Sequence, residues 1–108
     1  IHRAYVAEAP GFRETFDGPV VHERRTIDLG GRTVELRWLG RGATRGDLVV
    51  HVPDAGVVAA GDLVVHPVPF AFGAHVGDWA AALDSIAGLR PRAIVPGHGP
   101  VLRDLALV

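Results

Sequence analysis

Two runs, Leu48-Val49-Val50-His51-Val52 and Val57-Val58-Ala59-Ala60, are apolar at almost every position and are parted by Pro53-Asp54-Ala55-Gly56. An alternating strand buries one face, whereas a strand apolar at consecutive positions asks to be buried on both. The pair predicts two strands joined by a hairpin turn, deep inside a layered structure, with His51 a structural residue in mid-strand. Ahead of them, Thr26-Ile27-Asp28-Leu29 and Thr33 to Leu39 alternate as half-buried strands do, and Gly30-Gly31 is a favoured two-residue hairpin connection. In the second of these runs Val34, Leu36 and Trp38 share one face, with Thr33, Glu35 and Arg37 on the other. Trp79, Ala82, Leu83, Ile86 and Leu89 then recur at three and four residues, the stripe of an amphipathic helix. Asp78 reads as its N-cap or first-turn carboxylate, Gly88 as its stop, and Pro91 prevents continuation. Leu63 to Gly77, rich in proline, phenylalanine and glycine, reads as a structured loop, and Ala93-Ile94-Val95 as a further buried strand. Strands followed by a covering helix and another strand predict an α/β layered fold.

Ile1 to Pro19 are weakly patterned. Tyr5 and Val6 suit a short strand, and Pro10, Gly11, Gly18 and Pro19 suit turns. The chain opens on Ile1 and shows no charged, apolar and small-residue series of a signal peptide, so we expect a piece of something longer. Its 108 residues allow one small domain, and 48% hydrophobic residues exclude disorder. Eleven arginines against 12 acidic residues leave a net charge of −1, without the basic excess of a nucleic-acid binder. No apolar run approaches the roughly 20 residues of a membrane span. Without cysteine, thiolate metal sites, disulfides and cysteine nucleophiles are excluded.

Two short segments carry chemistry. Gly61-Asp62 ends an apolar run, where a carboxylate is costly unless it is paired, hydrogen-bonded or bound to a metal. Taken alone, Asp62 also suits a turn that caps the next amides. Pro96-Gly97-His98-Gly99-Pro100 follows the last strand. Its glycines clear bulk from both sides of the imidazole and its prolines limit the loop's freedom, so one His is presented as a metal ligand requires.

With these segments in place, Gly40-Arg41-Gly42-Ala43-Thr44-Arg45-Gly46-Asp47, Val57 to Asp62, Trp79 to Leu89 and Pro96 to Pro100 resemble, in order and spacing, the C-terminal half of a metallo-β-lactamase-fold hydrolase. The resemblance covers roughly residues 26–104. It implies an α/β fold, half of an αβ/βα sandwich: a mixed sheet with a covering helix at about 78–88, residues 1–108 forming one partial domain with 1–25 weakly assigned. By position, Asp62 matches the carboxylate that bridges two metal ions, and His98 the final His, a ligand of the second metal. The family's His-x-His-x-Asp-His motif is absent, and the His that precedes the Thr of the Gly-loop is replaced by Ala43, whose methyl group cannot coordinate.

Zinc normally takes three or four protein ligands, and this sequence offers two. We therefore expect the chain alone to bind Zn²⁺ weakly or not at all, and the intact protein to hold one or two ions. His66 is a candidate donor: on one extended strand it would stand about 13 Å from Asp62, unless Pro67 and Pro69 fold the loop back. Asp47 and Thr44 are candidates for bracing the site, and His75 for facing substrate. Phe70, Phe72 and Trp79 suit either a substrate pocket or the core. Arg41 and Arg45 suit the solvated surface, or the attraction of an anionic substrate; His2 and His22 suit the solvated surface.

The leading functional expectation is part of a zinc-dependent hydrolase that uses metal-activated hydroxide to cleave an ester, amide, thioester or similar bond in a small-molecule substrate. The alternatives are a catalytically degenerate ligand- or partner-binding module, signalled by Ala43, and a metal-free α/β domain. Half a sandwich leaves apolar faces for the missing N-terminal half or for a second copy. Nucleic acid and membrane partners are not expected.

Overall fold

The computed structural model describes residues 21–103. The expected strand at Tyr5 and Val6, the turns at Pro10, Gly11, Gly18 and Pro19, and His2 lie outside the described residues. Five strands form one mixed sheet in sequence order: β1 (Arg24–Asp28), β2 (Thr33–Arg37), β3 (Val49–Val52), β4 (Val57–Val65) and β5 (Ala93–His98). Neighbours from β1 to β4 run antiparallel, as short turns permit. Strand β5 lies parallel to β4, which requires a crossover, supplied by α1 (Val76–Gly88). One mixed sheet with one covering helix is the architecture the sequence implied, half of an αβ/βα sandwich.

The core lies between sheet and helix. Val49, Val58, Ala60, Leu63, Val64 and Ile94 meet Trp79, Ala82 and Ile86 of α1, and Leu102 closes the end through an antiparallel bridge to Ile94. The apolar stripe of α1 therefore falls where its spacing placed it, with Leu83 and Leu89 at the margin. The helix begins two residues before Asp78, and its N-cap, His75, makes no side-chain capping bond. Asp78 instead occupies the first turn, where a carboxylate suits the helix dipole, and pairs with Arg41 of the Gly-loop. The helix ends not on a left-handed Gly88 but on Arg90, the described non-glycine residue with positive φ, ahead of buried Pro91.

Strand β4 corrects the reading of Leu63 as the start of a loop. Gly61 has φ +54 and the pairing with β5 shifts register there, so the strand accommodates a bulge and continues through Asp62 to Val65. Composition hid this, because Gly-Asp reads as a strand end.

The polar face of β2 lies on the side of the sheet that carries the helix. The register aligns Thr26, Glu35, His51, Val58 and Ile94 in one row, on the face that carries the helix. Glu35 is buried there, paired with Arg24, with Arg37 at 3.8 Å and with His51 Nδ1 at 3.2 Å. The ion cluster fills the part of this face that β1 and β2 add. On the opposite face Leu36, Val50, Ala59 and Val95 form an apolar row across four strands, with Val95 39% exposed.

Burial alone would raise the Glu35 carboxyl; the His51 hydrogen bond and the charges of Arg24 and Arg37 outweigh it and hold the pKa below the ordinary value. A depressed carboxylate contributes stability that is present above its unfolded pKa of roughly 4.3 and is lost as pH falls through the folded value. Acid unfolding should therefore steepen below about pH 4.3. The Glu35→Gln variant should lack this component, and chemical unfolding midpoints measured from pH 6 down to pH 3 check it.

Candidate functional site

Parallel neighbouring strands end on the same side of a sheet, and ligands in such arrangements bind beyond the carboxyl ends. Asp62 lies toward that end of β4, and His98 is the last residue of β5. The chain thus brings them together across 36 positions of sequence: His98 Nε2 stands 3.5 Å from Asp62 Oδ1. That separation is longer than an ordinary N–H···O hydrogen bond. Two ligands at about 2.0–2.1 Å from a tetrahedral ion stand roughly 3.3–3.4 Å apart, so the spacing fits donors to one ion. Both side chains are open to a ligand, at 58% and 73% exposure.

Gly97 makes this approach possible. A Cβ there would stand 2.1 Å from Asp62 Oδ1, 2.8 Å from the Gly61 carbonyl carbon and 2.9 Å from the Asp62 amide nitrogen. Only a residue without a side chain lets β5 pass so close to the Asp62 backbone.

A cavity of about 480 Å³ opens over the pair. Ala43 and Thr44 of the Gly-loop line it together with Asp62, His66 and His98. His66 does not lie on one extended strand with Asp62. Strand β4 ends at Val65, which pairs with His98, and the His66 amide donates to the His98 carbonyl at 3.1 Å; the His66-Pro67 peptide is cis. The Gly-loop is held by Asp47, whose carboxylate accepts from the Thr44 amide at 2.8 Å and the Thr44 hydroxyl at 2.9 Å, while Thr44 Oγ1 accepts from the Gly46 amide. Asp47 and Thr44 thus form a brace that fixes Ala43 against the cavity. His75 starts the helix, donates its amide to the Gly42 carbonyl at 2.8 Å, and is not among the residues lining this cavity.

The aromatic residues divide. Trp79 belongs to the core, its indole N–H donating to the Leu63 carbonyl at 2.9 Å, whereas Phe70 and Phe72 are exposed and line the cavity. Val65 and Val68, which the sequence did not single out, line it as well. The alternation of Val68, Phe70 and Phe72 was the available signal. Arg41 is tied to Asp78, and His22 is exposed.

Residues 2–98 match the family model described as the metallo-beta-lactamase superfamily. The chain belongs to that superfamily. Among solved structures it is similar to a metallo-beta-lactamase from Pontibacter korlensis, at 24% identity and a TM-score of 0.75, covering 96% of this chain and 50% of that one. A metallo-beta-lactamase family protein from Thermus thermophilus matches at 20% identity and a TM-score of 0.69, with 90% of this chain and 36% of that one covered. The DIM-1 metallo-beta-lactamase matches at 19% identity and a TM-score of 0.73, with coverage of 96% and 50%. At these identities the likeness is one of fold, and the chain spans half or less of the length of these structures. No curated protein sequence matches it. Among the described residues of this metallo-beta-lactamase superfamily chain, no group of three or more His, Asp, Glu or Cys side chains converges as a metal site would require. None of the described helices is long and apolar enough to cross a membrane.

Proposed function

We propose that this protein acts as a metal-dependent hydrolase in which Asp62 and His98 hold zinc together with donors from outside the described residues. The observation that carries this reading is the 3.5 Å approach of an imidazole nitrogen to a carboxylate oxygen toward the carboxyl ends of two parallel strands. The donor set, one nitrogen and one oxygen, suits zinc, which when bound supplies Lewis acidity and an activated water. The chain's own residues set the rest of the site. For His98 to offer Nε2 as a lone-pair donor, its ring proton must sit on Nδ1. Asp62 offers a second carboxylate oxygen, as a group shared between two ions requires. The Thr44–Asp47 hydrogen bonds fix the local conformation of the Gly-loop, which lines the cavity through Ala43 and Thr44. The bond cleaved on this reading is an ester, amide, thioester or similar bond.

Ala43 favours a second reading, a ligand- or partner-binding module that has lost catalysis, because a methyl group lines the cavity at the position where the family has an imidazole. Calorimetric zinc titration of the full-length protein, with 4-nitrophenyl ester hydrolysis assayed on the zinc-loaded protein, separates the two: a degenerate module turns over no ester even where it binds zinc. The hydrolase reading expects tight binding that His98→Ala and Asp62→Ala each weaken by at least about tenfold, since even groups that only orient ligands contribute that much. Equal affinity in wild type and variants, or no zinc binding in the full-length protein, overturns it. The 108-residue chain alone should bind zinc more weakly than micromolar.

A further inference from the structure

The segment between β4 and α1 borders several hollows. Val68, Phe70 and Phe72 line the cavity over Asp62 and His98, whereas Pro69 and Ala71 line a separate apolar cavity of about 380 Å³ against α1. Pro69, Phe70, Ala71 and Phe72 also line a third, open hollow together, and of these four it is the two rings that reach the candidate centre. Phe70 and Phe72 are 78% and 88% exposed, with ring centroids 5.2 Å apart. Two rings left in water forgo the burial that normally draws phenylalanine into a core. The root of the segment is fastened to the strand end that presents the imidazole, through the His66 amide and the His98 carbonyl.

Charge points the same way. The chain has no lysine, and no arginine lines this cavity among the described residues. Among the described residues a carboxylate or phosphate substituent would find no guanidinium fork in this cavity. An apolar substituent would meet the Ala43 methyl, two valines and two rings, the mostly apolar lining with a few convergent polar groups that small-molecule sites show.

We propose that this cavity takes a neutral apolar acyl or aryl group attached to the hydrolysed bond, gripped by Val68, Phe70 and Phe72. The proposal rests on Asp62 and His98 as the reacting centre. For an ester the water oxygen bonds to the acyl carbon, the carbon–oxygen bond to the alcohol breaks, and the departing oxygen takes a proton, leaving acid and alcohol. The acyl chain is the part held by the rings.

The test uses the zinc-loaded full-length protein and two probe series of rising chain length: 4-nitrophenyl esters from acetate to octanoate for turnover, and the matching primary amides, whose unactivated leaving group makes hydrolysis far slower, for binding. The expected result is kcat/KM rising about threefold to fourfold per methylene over the first few carbons, with amide affinity rising in parallel. The negatively charged succinate half-ester should fall below the neutral ester of equal length. In Phe70→Ala/Phe72→Ala both slopes should flatten, and Phe72→Leu should keep much of them. An active protein with a flat length series overturns the substrate assignment and leaves the hydrolase reading intact. Length-dependent amide binding that the double variant removes, in a protein that turns over no ester, upholds the apolar site and removes the hydrolase reading. Absence of both effects overturns both.

Discussion

Replacing Gly97 by alanine is expected to weaken zinc binding by the full-length protein about as severely as removing His98, although no donor atom is changed. The added carbon would stand 2.1 Å from Asp62 Oδ1, and the carboxylate can escape only by turning away from its place beside the imidazole. Contacts of 2.8 and 2.9 Å to Gly61 and Asp62 backbone atoms cannot be relieved by side-chain rotation. They require β4 and β5 to separate, and overpacking of this kind costs about 1–3 kcal/mol. Gly97 has no positive φ, so the effect is one of space and not of backbone preference. Calorimetric zinc titration and a chemical unfolding curve on the same preparation check both halves. Wild-type zinc affinity in the Gly97→Ala protein would show that Asp62 and His98 do not share an ion.

The second large effect is expected at Trp79. Its ring is 7% exposed between α1 and β4, and its indole N–H satisfies the Leu63 carbonyl just beyond the Gly61 bulge. Truncating a buried tryptophan to alanine costs about 3–5 kcal/mol. Against a total stability of about 5–15 kcal/mol for an ordinary domain, Trp79→Ala should leave the protein close to unfolded at 37 °C. Trp79→Phe keeps most of the apolar area and removes the donor, for a loss of about 1–3 kcal/mol. Urea unfolding midpoints of the two variants separate packing from hydrogen bonding. A Trp79→Ala loss no larger than that of Trp79→Phe would mean that the ring's packing contributes little.

The elements most legible in the sequence were those whose signal is local. The hairpin at Gly30-Gly31, the turn at Pro53 to Gly56 and the Trp79–Ala82–Ile86 stripe needed only neighbours in sequence to be read. What failed were readings that depend on the partner strand. The length of β4 is set by a bulge against β5, so Gly61-Asp62 looked like an end when it lies within the strand. The alternation in β2 separated its two faces, yet the polar face, with Glu35, is the one on the helix-bearing side of the sheet. Its burial is sustained by Arg24, Arg37 and His51, which come from three strands. The approach of Asp62 to His98 was expected from family likeness, whereas the nearness of His66 to His98 follows from tertiary pairing that no sequence spacing records.

The placement of the donors has a consequence for how such a protein diversifies. Asp62 and His98 ride on two hydrogen-bonded strands, while Phe70 and Phe72 ride on the single connection between β4 and α1. Insertions or exchanges within that connection can remodel what is admitted while the strand framework under the carboxylate and imidazole stays in register. On the proposed reading, reactivity and molecular preference sit on separate stretches of polypeptide, so editing that one link would alter what is bound without moving the two donors.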